Sequence, residues 1–287
     1  MDSDDLRGIV DPADMLRYVS FERAEAGPVL DGVIEWFWSV SWDLPTGQTH
    51  RQQVLNHPAG NLTVGTIDDR GVPLDPAEGR IYGVLEGVSE RVLNGSGWTV
   101  GARSTVGGLG VVFGFPAKEA AGRQLGLDRV FGSEGEAGPA RLVNAVSDAE
   151  TVAERVTRLR RRLESLVAGR GPTVRAEAAE VVAVARLAEQ DRSITKTEHL
   201  AGAAGVSVRT LQRQFDTHVG ASPSFVIRRW RIIDAVEEAR RSGPNVDHWE
   251  GWSTVAVELG YADQAHLTRD FQRHLGVPPS AYRARQG

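Results

Sequence analysis

Cysteine is absent from this chain, which removes disulfides, zinc–thiolate sites and cysteine nucleophiles together. Lysine occurs only at Lys118 and Lys196, so nearly all the positive charge is arginine. Long apolar runs are missing: none approaches the roughly 18 residues that a membrane span requires. The opening MDSDDLRGIV is acidic and lacks the apolar core of a secretory signal. Catalytic signatures are missing as well, with no Gly-x-Ser-x-Gly elbow, paired-histidine zinc motif or nucleotide fingerprint. The GGLG at 107–110 lacks the Lys-Ser/Thr and the strand-to-helix context of a phosphate loop. His50 and His57 have neither a His-x-His spacing nor an obvious glutamate partner, so no metal is expected there. These absences lead to the expectation of a soluble cytoplasmic protein that is not an enzyme and carries no cofactor.

What is present is ordinary globular material, 41% hydrophobic and 25% charged, in 287 residues. That length suffices for two domains with cores of useful size. The net charge of −5 is unevenly spread. Residues 1–145 carry −8, residues 146–192 carry +1, and residues 193–287 carry +2 with five of the seven histidines. Such asymmetry fits two domains with different partners. A charge of +2 alone is a weak argument for nucleic acid, so a motif has to carry that claim.

Residues 30–115 read as strands. In EWFWSVSW, Trp36, Trp38, Val40 and Trp42 fall on one face and Glu35, Ser39 and Ser41 on the other, the period of a half-buried strand. LTVGTI, RIYGVLEGV, ERVLNG, GWTVGAR and LGVVFGF are further candidates, separated by Gly, Asn, Asp and Pro. Short strands at such spacing suggest a barrel or sandwich, and a β-rich, barrel-like domain is expected over residues 1–131. Pro116 stops the last of them, and AKEAAGRQLG reads as a short helix ended by Gly126.

Residues 132–192 read as a linker and helical connector. GSEGEAGPA, at 132–140, is a polar glycine-rich break. From Ser147 the pattern turns helical, opening on a Ser147/Glu150 capping box and stopping at Gly169. Val152, Val156, Leu159, Leu163 and Leu166 form one apolar stripe opposite an arginine-rich face, RLRRR, read as solvated. A second helix runs from about Val174 to Glu189. The pair is either a packed connector or a dimerisation element.

The most informative feature is a repeat in residues 193–287. Aligning Leu211 with Leu267 gives seven identities in fourteen residues: Leu, Arg, Phe, His, Gly, Pro and Ser. Each copy has a short helix, a glycine at the turn (Gly205, Gly260) and a second helix, the outline of a helix-turn-helix. Ser207 and Asp263 are natural N-caps, Gly220 and Gly276 end the helices, and Pro223 and Pro279 prevent continuation. Leu211 and Phe215 point inward, as do Leu267 and Phe271. Ser207, Arg209, Gln212 and Arg213 lie away from that stripe in the first copy; Gln264, Ala265, Thr268 and Arg269 do so in the second. Arg pairs bidentately with guanine and Gln with adenine in the major groove, so these are the candidate DNA-binding residues. The joining segment, SPSFVIRRWRIIDAVEEARRSG, reads as one helix of about 30 Å, close to the ~34 Å of one DNA turn.

These features resemble the AraC/XylS family of bacterial transcription regulators, over the whole of that family's DNA-binding domain. GYADQAHLTRDFQRHLGVPPSAYR matches the family signature almost throughout, and Arg231, Ile232 and Ala235 match its linker. Two departures stand out. GPNVDHWEGW is roughly six residues longer than is typical, which bears on the spacing of the two copies, and Trp252 replaces an aliphatic core residue. Val226 also stands in place of a common aromatic, with Phe225 beside it. The N-terminal run is similar to an uncharacterised β-rich domain found with this DNA reader.

The resemblance implies an α+β multidomain regulator: a β-rich sensing domain, a helical connector and an all-α double helix-turn-helix domain. The implied partners are double-stranded DNA and a small-molecule effector. A homodimer and contact with RNA polymerase stay open. Trp36, Trp38 and Trp42 are either core or the lining of an effector pocket. Two alternatives remain: a constitutive regulator whose N-terminal domain only mediates assembly, and an enzyme-like N-terminal domain fused to a DNA reader. A filled interior favours assembly; a cavity favours sensing.

Overall fold

The computed structural model describes residues 6–132, 138–242 and 251–285. The N-terminal part contains α1 (Pro12–Met15), β1 (Val19–Glu25), β2 (Ile34–Asp43), β3 (Thr49–Leu55), β4 (Asn61–Ile67), β5 (Pro73–Tyr82), β6 (Val88–Asn94) and β7 (Ser96–Ser104). Then come α2 (Leu109–Phe113), a 3-10 turn (Ala117–Ala120), β8 (Gln124–Gly126), α3 (Asp128–Phe131), α4 (Pro139–Ser147), α5 (Val152–Ala168) and α6 (Pro172–Gln190). The C-terminal part is helical: α7 (Thr197–Ala203), α8 (Val208–His218), α9 (Pro223–Arg241), α10 (Trp252–Glu258), α11 (Gln264–Leu275) and α12 (Pro279–Ala284).

The sheet is open, not closed into the barrel that the strand spacing predicts. Six antiparallel strands run in the order β1-β2-β7-β4-β5-β8, with β1 at one edge and the three-residue β8 at the other. Among the described residues no pairing joins those edges, and β3 pairs with β6 in a separate two-stranded sheet. Closure is one way to bury both faces of a sheet; here layers on either side do so instead. Phe37 lies opposite Ala102, which lies opposite Leu62, and these face the helices. Trp36 lies opposite Arg103 and Trp38 opposite Gly101, and these face the β3–β6 layer. The face of β2 read as polar therefore carries Phe37, fully buried, and buried Ser39.

The helix boundaries also shift. LGVVFGF forms α2 rather than a strand, with Leu109–Phe113 buried on every side. Ser147 ends α4, and the capping box belongs to Thr151 and Glu154 at the start of α5. The arginine face of α5 packs on rings of the sheet and of α3: Arg155 lies 4.3 Å over the Trp98 ring, Arg160 over Phe37 and Arg162 over Phe131 of α3. Of the RLRRR run, only Arg161 is fully exposed among its arginines. A single apolar core continues from this layer through α6 into the C-terminal helices.

Candidate functional site

Each helix-turn-helix is built as the repeat requires. Gly205 and Gly260 take the turn at φ +66° and +71°, a region in which a Cβ is strained. The Ser207 hydroxyl accepts from the Thr210 amide at 3.1 Å, and the Asp263 carboxylate accepts from the His266 amide at 2.7 Å. Each cap satisfies an orphan N–H at the start of its second helix. Leu211, Phe215, Leu267 and Phe271 are wholly buried. Ser207, Arg209, Gln212 and Arg213 are exposed on α8; Gln264, Ala265 and Arg269 are exposed on α11, with Thr268 half-buried beside them. The candidate residues of each copy thus share one outward face.

The two copies are set differently in the molecule. The C-terminal end of α8 abuts the β-rich part. A Cβ on Gly110 of α2 would lie 2.7 Å from the Thr217 carbonyl, and one on Gly220 would lie 2.7 Å from that of Ala117. Lys118 pairs with Asp216 at 2.7 Å across the same contact. The second copy touches the N-terminal segment instead, where the Tyr282 hydroxyl donates to the Val10 carbonyl at 2.6 Å. Trp252 fills its core position, buried and 6.1 Å from the Phe271 ring. Trp249 and most of the long connection lie outside the described residues.

The 19-residue α9 between the copies is held from both sides. Arg7 pairs with Asp234 at 2.6 Å and with Glu189 of α6 at 3.1 Å, its guanidinium over the Trp230 ring. Burial nonetheless raises the Asp234 and Glu189 carboxyls above their usual range, outweighing Arg7's attraction. Arg229 is 1% exposed, lies 5.1 Å over the Phe225 ring and donates to the Gly87 carbonyl, while its Nε and Nη2 have no hydrogen-bond partner among the described residues. Burial lowers it to about 10, opposed by Glu86 and Asp270.

Between the six-stranded sheet and the β3–β6 layer lies a cavity of about 240 Å³. Trp36, Trp38 and Trp42 all line it. Trp42 also belongs to a small apolar cluster with Met15, Val19 and Leu93. Gly97 and Gly101 let two indoles lie flat on β7, since a Cβ on either would sit 2.5 Å from Trp42 or Trp38. The Trp38 indole donates to Asn61 Oδ1 and that of Trp42 to the Asn94 carbonyl.

The polar end of the cavity holds residues that sequence reasoning missed. Arg103 is buried, pairs with Glu35 at 3.0 Å and donates to His57 Nδ1. The other nitrogen, His57 Nε2, lies 2.9 Å from the Arg7 carbonyl, which can only accept. His57 is therefore the neutral Nε2–H tautomer. Burial, then the charge of Arg103, hold it well below the ordinary imidazole range. Burial also lowers Arg103 to about 10, against the pull of Glu35. Single arginines in a strand carry no periodic signal that would have marked Arg103. His50 sits in β3, 3.1 Å from Gln52. No group of three metal-ligating side chains occurs among the described residues.

Residues 200–285 match the model of a helix-turn-helix domain family, and residues 22–126 match a domain of unknown function, DUF6597. The transcriptional activator RhaS of Escherichia fergusonii is 33% identical over 86 residues, 30% of this chain and 29% of that protein. The transcriptional regulator RipA of Corynebacterium glutamicum is 38% identical over 108 residues, 38% of this chain and 29% of its own length. The chain spans less than a third of the length of these curated relatives. Among solved structures, ToxT from Vibrio cholerae gives a TM-score of 0.40 at 11% identity, covering 86% of this chain and 97% of that one. A likeness of that size carries no argument about function.

Proposed function

We propose that this chain, which belongs to the AraC/XylS-type regulators through its C-terminal helix-turn-helix domain, is a sequence-specific, DNA-binding transcription regulator whose N-terminal domain takes a small-molecule effector. The observation that carries the reading is the duplicated outward face. Arg213 and Arg269 hold equivalent places on α8 and α11, each above a fully buried Leu–Phe pair. In this reading Ser207, Arg209, Gln212 and Arg213 enter one major groove, and Gln264, Ala265, Thr268 and Arg269 the next. The 19 residues of α9 span about 28 Å at ~1.5 Å per residue, near the ~34 Å of one DNA turn. Two readers on one chain do not require a palindrome. The proposed organisation is a sensing domain over residues 1–131, a connector over 132–192 and the reader over 193–287. Within it, α4 and α5 also cover the sheet.

The cavity favours sensing over an assembly-only domain, because a filled interior would leave an effector no place. The hypothesis is that occupancy biases how the reader sits on the β-rich part, through differential affinity for the two arrangements. Selection from a randomised duplex pool with full-length protein tests the reading. Enrichment of one motif, bound at least about a thousandfold more tightly than random duplex, is the expected result. Equal retention of all sequences would refute it.

A further inference from the structure

The two outward-facing helices end differently. By the alignment of Leu211 with Leu267, Gln214 and Thr217 of α8 stand where α11 has Asp270 and Arg273. Thr217 is half-buried, and its carbonyl lies against Gly110 of α2. Arg273 has no such cover: its side chain is 74% exposed. The difference matters because a recognition helix enters the major groove by its N-terminal residues, which reach the base edges. A cation one turn further along falls beside the sugar–phosphate backbone. Arg273 stands about 6 Å beyond Arg269 along α11 and about 40° around it, on the side of the buried Asp270.

Arg273 is held there by a chain of contacts. Its Nη1 donates to Asp270 Oδ1 at 3.0 Å. Asp270 is 4% exposed, and its other oxygen accepts from the Tyr261 hydroxyl at 3.2 Å. Burial, then the charge of Asp270, hold the Tyr261 phenol far above its ordinary range, so it stays a donor. The Tyr261 ring stands at 87° to that of His266, 5.1 Å away. His266 is exposed seven residues before Arg273, on the same flank of α11. Asp270 is the only carboxylate in the sequence of α11. It also acts on Arg229 and Arg231, so its one charge is shared among three guanidinium groups. Arg228, exposed on α9, adds a cation near Tyr261. The other carboxylates at this end have their own partners: Asp263 caps α11, Glu258 pairs with Arg192 at 4.0 Å and Glu86 acts on Arg229.

A guanidinium fork fits a phosphate with two parallel hydrogen bonds. Tying one of its nitrogens to a buried carboxylate leaves its other donors outside and removes part of the ordering cost of binding. We propose that Arg273, held by Asp270, anchors α11 to a backbone phosphate at the wall of its major groove, a contact with no counterpart at Thr217. Arg273 is the binding residue and Asp270 its positioning residue. The inference rests on the reading of the chain as a DNA-binding regulator and makes the second unit the more firmly anchored of the two.

The test is fluorescence anisotropy of the full-length protein on enriched and random duplexes across a salt series. Arg273→Ala should weaken both duplexes alike, about tenfold. It should also make the slope of log affinity against log salt shallower by about one. Arg273→Lys, which keeps the charge and loses the fork, should restore the slope and only part of the affinity. Asp270→Asn should weaken binding when Arg273 is present and change nothing in the Arg273→Ala background. An unchanged slope in Arg273→Ala, or a loss confined to the enriched duplex, overturns the phosphate contact. Tighter binding by Asp270→Asn overturns the positioning role, since Asp270 would then be holding Arg273 back. Arg273 is exposed, so its own variants decide the assignment should Asp270→Asn fail to fold. If the wild type binds and Arg273→Ala matches it, only this contact falls; if the wild type binds no duplex, the regulator reading falls.

Discussion

The imidazole of His57 stands edge-on against the indole of Trp230, with centroids 5.3 Å apart and planes at 83°. The first residue lies at the polar end of the cavity, where Arg103 donates to it. The second lies on α9, the helix that joins the two helix-turn-helix units. The buried Arg103–His57 pair is thus in contact with the helix that joins the two helix-turn-helix units.

This contact makes a pH prediction. Burial is the largest cause of lowered pKa at His57, His218 and His274, so the folded chain resists protons that the unfolded chain accepts near pH 6.5. A depressed histidine pKa contributes stability that is present above about pH 6.5 and lost as pH falls below it. Each withheld proton contributes a slope of about 1.4 kcal/mol per pH unit. Urea unfolding between pH 7.5 and 5 should show declining stability. His57→Gln, which keeps one donor and one acceptor, should flatten the slope by about one proton. An unchanged slope in that variant would mean that His57 titrates normally in the fold.

The fit of Trp38 on Gly101 predicts a second outcome. Gly101→Ala places a methyl 2.5 Å from an indole that Asn61 holds in place, so the ring has to shift. Overpacking of this kind costs about 1–3 kcal/mol, measurable by chemical denaturation. A neutral effect on stability would show that Trp38 is free to move.

Arg229 predicts a sign that contact counting would miss. It is buried with two unpartnered nitrogens, and its one hydrogen bond goes to the Gly87 carbonyl at 3.2 Å. An apolar residue of similar length avoids that desolvation cost. Arg229→Met should be neutral or stabilising, by up to about 4 kcal/mol. Arg229→Ala should destabilise through the cavity it opens. Thermal unfolding of both variants separates the cases; a large loss in the Met variant would mean that the Gly87 bond outweighs burial.

The reader face predicts matched losses. Arg213→Ala and Arg269→Ala should each weaken binding to the enriched motif by about 1–3 kcal/mol and relax its sequence preference in one half only. Fluorescence anisotropy against enriched and random duplexes measures both effects. An equal loss on the two duplexes would place these arginines on phosphates instead.

The reader was legible in the sequence because two copies constrain each other. Leu211 and Phe215 predict Leu267 and Phe271, and the glycine turns and caps fall into place around them. The β-rich part had no such check. Leu109–Phe113 is buried on all sides, so its apolar run carries no helical period and reads as a strand. β3 was missed because its buried positions include His50 and Gln52, polar residues that an alternation test places outside. Ser39 misled in the same way on β2, where both faces are covered. The capping box was misplaced because Ser147/Glu150 and Thr151/Glu154 have the same spacing, and only the second begins a helix. Barrel closure failed as an expectation because strand count alone does not reveal that α4 and α5 cover one face of the sheet.

The most direct measurement is a hydroxyl-radical footprint of the full-length protein on the enriched motif, repeated with Arg213→Ala and Arg269→Ala. Two protected segments on one DNA face, about one turn (~34 Å) apart, each weakened by only one of the variants, are the predicted result. A single protected segment, or one that both variants weaken equally, would contradict the claim that α8 and α11 are separate readers.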